Sequence, residues 1–90
     1  MLAKLGKNLR SSREVGVEYR NNTGKTIFIA ITLQFSTPSS SVYFMLNDEA
    51  MVQIRDGADE YTHIMLPIGA NDTYKLTGGT ISSWWEYTTI

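Results

Sequence analysis

Ninety residues with no cysteine and a formal net charge of −1 form one domain, exclude a disulfide framework or a thiolate metal cage, and offer nucleic acid no overall attraction. The longest apolar-rich run, Ile27 to Leu33, has seven residues and contains Thr32, far below the roughly 20 that a helix needs to span a bilayer. So short a chain buries only about 60–65% of the surface its unfolded form exposes, so a well-filled core, association with neighbours, or both must hold it.

The charge is unevenly placed. Residues 1–13 hold Lys4, Lys7, Arg10 and Arg13 and no acid, a total of +4, whereas residues 14–90 sum to −5. Two units are therefore expected: a basic N-terminal arm over 1–13 and a β domain over 14–90. Leu2, Leu5 and Leu9 have the spacing of one helical face, which Gly6 and the Ser11-Ser12 pair weaken. The arm reads either as a frayed terminus or as a segment that orders on a neighbour. In the second case Leu2, Lys4, Leu5, Lys7, Leu9, Arg10 and Arg13 are the partner-binding residues. The same segment has the positive charges of a secretion signal without its apolar middle of about 7–15 residues, so the chain is expected to fold in the cytoplasm where it is made.

From Glu14 onward the pattern is β. Val15, Val17 and Tyr19 alternate with polar residues or glycine, a period of two with one wet side. Asn22-Thr23-Gly24 then reads as a hairpin turn, since Asn and Gly tolerate the left-handed backbone. Ile27, Phe28, Ile29 and Ile31 follow in a strand whose nearly continuous apolar character implies burial on both sides, or core on one side and a partner on the other. "STPSSS" is a loop. "VYFMLN" and "AMVQIR" form a hairpin about Asn47-Asp48-Glu49, and "DGADE" is another loop. "YTHIMLP" is a strand that Pro67 is expected to end. "YKLT", a Gly78-Gly79 turn and "TISSWWEYT" complete the chain. About seven short strands at intervals of roughly 8–12 residues predict an all-β fold, a small antiparallel β-sandwich or barrel.

Reactive chemistry is sparse. His63 is the one histidine, and no motif pairs it with a nucleophile. Asp56, Asp59 and Glu60 share a loop, and Asp48 and Glu49 share a turn, but their spacing matches no calcium loop and solvated loops are commonly acidic. Gly78-Gly79 feeds no helix, so it forms no phosphate cradle. No enzyme activity, metal or cofactor is expected. The aromatics are the remaining candidates. Trp84 and Trp85 are adjacent in a strand, so they point to opposite sides; one is core, and the other meets solvent, a ligand or a partner. These two are the candidate surface-recognition residues.

Three segments carry a resemblance: "REVGVEYRNNTGKTIFIAITL", "VYFMLNDEAMVQ" and "LPIGANDTYKLTGGTISSWWEY". In this order they resemble the small β-sandwich tip domain of tailed-bacteriophage tail fibres and related virion proteins. The matching positions are Tyr19, Asn21, Thr23, Gly24 and Ile27, then Pro67, Gly69, Tyr74, Leu76 and Gly78, then Trp84 or Trp85 with Glu86. The resemblance implies a non-enzymatic virion component, typically a homotrimer, that attaches to other virion proteins and engages a host surface glycan or protein. The family's long shaft has no counterpart here, which leaves the arm as the expected attachment device. It implies neither nucleic-acid binding nor membrane insertion. The alternative class is a carbohydrate-binding module that uses exposed Trp or Tyr.

Overall fold

A computed structural model describes residues 6–35, 39–56 and 61–88; of residues 39–41 and 55–56 only the backbone is described. The described residues form eight strands: β1 (Gly6–Asn8), β2 (Tyr19–Arg20), β3 (Ile27–Gln34), β4 (Ser39–Leu46), β5 (Glu49–Asp56), β6 (Tyr61–Ile68), β7 (Thr73–Leu76) and β8 (Thr80–Thr88). A 3₁₀ turn, Arg10–Ser12, lies between β1 and β2. The strands form two four-stranded antiparallel sheets, β1-β8-β3-β6 and β2-β7-β4-β5, called the first and second sheet below. The fold is an antiparallel β-sandwich.

The core follows from the dyad period. Ile27, Ile29, Ile31 and Leu33 of β3, Ile64 and Ile68 of β6, and Ile81 and Trp84 of β8 face inward from the first sheet. Val42 and Phe44 of β4, Ile54 of β5, and Tyr74 and Leu76 of β7 meet them from the second. The molecule measures 42 × 29 × 18 Å. Its shortest extent fits two sheets stacked about 10 Å apart.

Four local expectations change. The segment after β2 is no hairpin: β2 pairs with β7 in the second sheet, and β3 belongs to the first. The cause is Asn21, which is 2% exposed. Its Nδ2 reaches the carbonyls of Lys25 (2.7 Å), Gly69 (3.0 Å) and Ile68 (3.1 Å), and its Oδ1 accepts the Thr23 hydroxyl (2.7 Å) and N–H (3.1 Å). A satisfied buried amide thus fastens an arch between sheets. Second, β2 is short, because Gly16 takes φ +83° and turns the chain ahead of it. Third, Pro67 does not end β6, which runs on to Ile68; β6 is an edge strand, where a missing N–H leaves no ladder bond unmade.

Fourth, residues 6–13 are part of the sandwich and no separate arm. β1 pairs with β8, Gly6 opposite Tyr87 and Asn8 opposite Trp85. The Leu9 N–H donates to the Trp84 carbonyl at 2.8 Å, and Leu9 packs against the core. A Cβ on Gly6 would lie 2.5 Å from the Tyr87 ring, so any larger residue there would push that ring aside. The β4–β5 hairpin was expected, and it turns on Asn47 and Asp48 at φ +51° and +65°, the left-handed pair of a two-residue loop.

Candidate functional site

Residues that the sequence places on one strand, β8, build two different environments. On the inward side, one carboxylate oxygen, Glu86 Oε2, accepts three hydrogen bonds: from Tyr74 Oη (2.9 Å), Trp84 Nε1 (3.0 Å) and Arg13 Nε (3.0 Å). The Arg13 guanidinium also lies 4.3 Å from the centre of the Tyr19 ring. Tyr19 in turn packs on Tyr74 and Trp84, with centroids 6.0 and 6.2 Å apart. The Glu14 N–H donates to the Tyr19 hydroxyl at 2.8 Å. This cluster ties β8 of the first sheet to β7 and β2 of the second, through the segment that crosses between them.

Its charges are mutually satisfied. Burial opposes charge on Arg13, but Glu86 more than offsets that and leaves the guanidinium more basic than usual. The Tyr74 phenol is pushed up to about 12, first by burial and then by the neighbouring carboxylate. Every buried side-chain polar atom among the described residues has a partner. A partly buried cluster paired in this way helps to hold the two sheets together.

The outward side of β8 is different. Ser83, Trp85 and Tyr87 continue across β3 and β6 in three rows. Tyr87 pairs with Phe28, and Phe28 with Pro67; Trp85 pairs with Ala30, and Ala30 with Met65; Ser83 pairs with Thr32, and Thr32 with His63. Met65 is 71% exposed, Phe28 41% and Tyr87 39%. The Trp85 and Tyr87 rings stack with centroids 6.3 Å apart. Among the described residues, these three strands direct no Lys, Arg, Asp or Glu outward. The second sheet's outer surface is mixed: Lys75 stands opposite Met45, and Gln53 opposite Tyr43.

Ala30, the smallest side chain in the middle row, leaves a notch between Trp85 and Met65. This opens into a shallow cavity of about 330 Å³ whose lining includes Thr32, His63 and Ser83. Thr32 Oγ1 and His63 Nδ1 share a hydrogen bond of 3.0 Å, but no acid lines the cavity to complete a proton relay. Among the described residues, no group of three His, Asp or Glu side chains converges as a metal site.

The expected site residues scatter. Leu2, Lys4 and Leu5 lie outside the described residues, as do Asp59 and Glu60. Lys7 and Arg10 are exposed, Leu9 is packed on the core, and Arg13 is bound to Glu86. Trp84 is 0% exposed, so Trp85 is the outward tryptophan. Phe28 belongs to the nearly continuous apolar run of β3 that already asked for cover on both sides, and Tyr87 is one of the candidate aromatics; sequence reasoning passed over Met65, on β6. The motif residues have structural work. Asn21 and Thr23 bind each other, Asn21 also donates to the Ile68 and Gly69 carbonyls, and Gly69 N–H donates to Asp72 Oδ2 at 3.0 Å. Searches against known protein families, curated proteins and solved structures find nothing that matches this chain.

Proposed function

We propose that this chain is a non-enzymatic structural module of a bacteriophage virion, a tail fibre, tail tip or decoration component, that acts by attaching to copies of itself and to other virion proteins. The observation that carries the attachment half is the uncharged outer surface of the first sheet. Depletion of charge with enrichment in aromatic residues and Met is the composition of a protein interface core, and a soluble β-sandwich ordinarily presents polar side chains there. The virion half is supported by the order of the sequence segments that resemble tail-fibre tip domains. Leu9 and Arg13 are committed to the sandwich, so neither serves a free arm.

A second reading is favoured by one feature: Trp85 beside the hydroxyls of Thr32 and Ser83 is an arrangement on which a sugar ring can stack and hydrogen-bond. Contact with a host glycan at a fibre tip is compatible with the first reading. The test is mass spectrometry of purified phage particles made by a host that expresses this chain from the phage genome. Recovery at a fixed stoichiometry relative to the major virion proteins is expected. Its consistent absence from intact particles overturns the virion assignment.

A further inference from the structure

We infer that the pocket beside Trp85 binds one ring of an uncharged sugar, stacked on Trp85 and hydrogen-bonded by Thr32, His63 and Ser83. The inference rests on the sugar reading above and deepens it in two ways: it names the contacts, and it rules out acidic sugar rings.

The pocket is divided along the strands. At one end Trp85 and Met65 stand on either side of Ala30; at the other lies the polar row of Ser83, Thr32 and His63. A pyranose ring is divided in the same way, with an apolar C–H face and a rim of hydroxyls. A purely apolar ligand would take the polar row out of water and leave it unbonded. The volume of about 330 Å³ is at the small end of ligand pockets, which run from about 300 to 1,000 Å³, and suits a single ring. The platform is also held in advance. Tyr87 stacks on Trp85 with centroids 6.3 Å apart, so less side-chain freedom is lost on binding.

The hydrogen bonding favours hydroxyl groups. Thr32 Oγ1 and His63 Nδ1 lie 3.0 Å apart. With Nδ1 unprotonated, Thr32 donates to it, which leaves the Thr32 oxygen to accept and His63 Nε2–H to donate. With the proton on Nδ1, Thr32 both donates and accepts, and Nε2 accepts. Either tautomer offers a ligand one donor and one acceptor, and a sugar hydroxyl is both. Ser83 adds a further hydroxyl. No cation lines the pocket, and the row through Trp85 continues to Asn8 of β1, again uncharged. A ring carboxylate seated here would lose hydration and gain no countercharge.

The experiment is a titration of the full chain followed by proton–nitrogen correlation spectra. The probes are the methyl glycosides of glucose, galactose, mannose and N-acetylglucosamine, and those of glucuronic and galacturonic acid. At least one uncharged glycoside should shift the Trp85 indole N–H and the Thr32 and Ser83 amides saturably. A dissociation constant on the order of millimolar suits one ring in a shallow pocket. The acid in which a carboxylate replaces the hydroxymethyl group of glucose or galactose should bind at least about tenfold more weakly than its parent sugar. Trp85→Ala should weaken binding about tenfold or more, and Thr32→Val about fivefold. Tyr61→Ala, at an exposed aromatic of β6 outside the pocket, should change nothing. Amide shifts remote from each substitution report the fold, so loss of binding is separable from unfolding.

Equal binding of a sugar and its acid refutes the uncharged class and keeps the sugar reading. Binding that neither Trp85→Ala nor Thr32→Val weakens puts the sugar elsewhere on the chain, which refutes this pocket and keeps that reading. No response to any of the four uncharged glycosides, up to the limit of their solubility, overturns both.

Discussion

Trp84 and Trp85 are consecutive residues of the same chemical type on one strand, yet they enter opposite worlds. Trp84 is sealed among Tyr74, Tyr19 and Glu86, with its indole N–H bonded. Trp85 lies over an open, uncharged sheet surface beside Tyr87 and Ala30. The inward side of β8 is defined by complete polar satisfaction, and everything there serves stability. The outward side keeps large apolar area that the described core does not use. The contrast shows that residue type alone does not set a side chain's surroundings in a sheet; the side of the pleat does.

The sharpest way to break this contrast is to remove both indoles in turn. Trp84→Ala should cost about 3–5 kcal/mol, enough to unfold much of a domain this small, as read by chemical denaturation. Next in size is Glu86→Gln, which keeps an acceptor but strips the charge that holds Arg13; a loss of about 1–3 kcal/mol is expected in the same assay. If Glu86→Gln is neutral, the inward cluster is not the clasp described here.

Tyr74 provides the pH dependence. Its neutral phenol donates to Glu86, and ionising it would set a second anion beside that carboxylate in a partly buried site. The folded-state value, raised from 10.0 to about 12, exceeds the unfolded one. The resulting stability is complete below about pH 10 and is lost as pH climbs through about 12. Tyr74→Phe should lose about 1 kcal/mol at neutral pH and flatten that alkaline limb of the unfolding curve. The smallest effect belongs to the outward side: Trp85→Ala should change the stability of the dilute chain by under about 1 kcal/mol. An equal loss from Trp84→Ala and Trp85→Ala would erase the distinction between the two sides.

Much of the fold was legible in the sequence because a period of two is a local signal. Strands β3 to β8 follow from alternation and turn residues, and the opposite directions of Trp84 and Trp85 follow from the pleat. What was hidden depends on partners remote in the chain. Asn22-Thr23-Gly24 looks the same whether it closes a hairpin or an arch; the choice is made by carbonyls at Ile68 and Gly69, 47 and 48 residues from Asn21. Gly6-Lys7-Asn8 has no strand pattern of its own, and its place is set by backbone pairing with β8 beneath the Tyr87 ring.

The candidate site divides in the same way. That one tryptophan faced outward was readable. Which one was not, because the register of β8 against β3 shifts between Thr32 and Leu33, and such an irregularity leaves no mark in composition. Glu86 reads as an ordinary charged strand residue until Arg13, 73 positions away, is brought to it. The apolar rows around Ala30 needed three strands placed side by side before they became a surface.

The most direct test is acrylamide quenching of tryptophan fluorescence in the folded chain and in Trp85→Ala. Trp84 is sealed in the core, so the quenchable signal reports Trp85. The quenchable fraction should be large in the parent chain and nearly vanish in Trp85→Ala. A fraction that survives the substitution would contradict the claim that one tryptophan is sealed and its neighbour open.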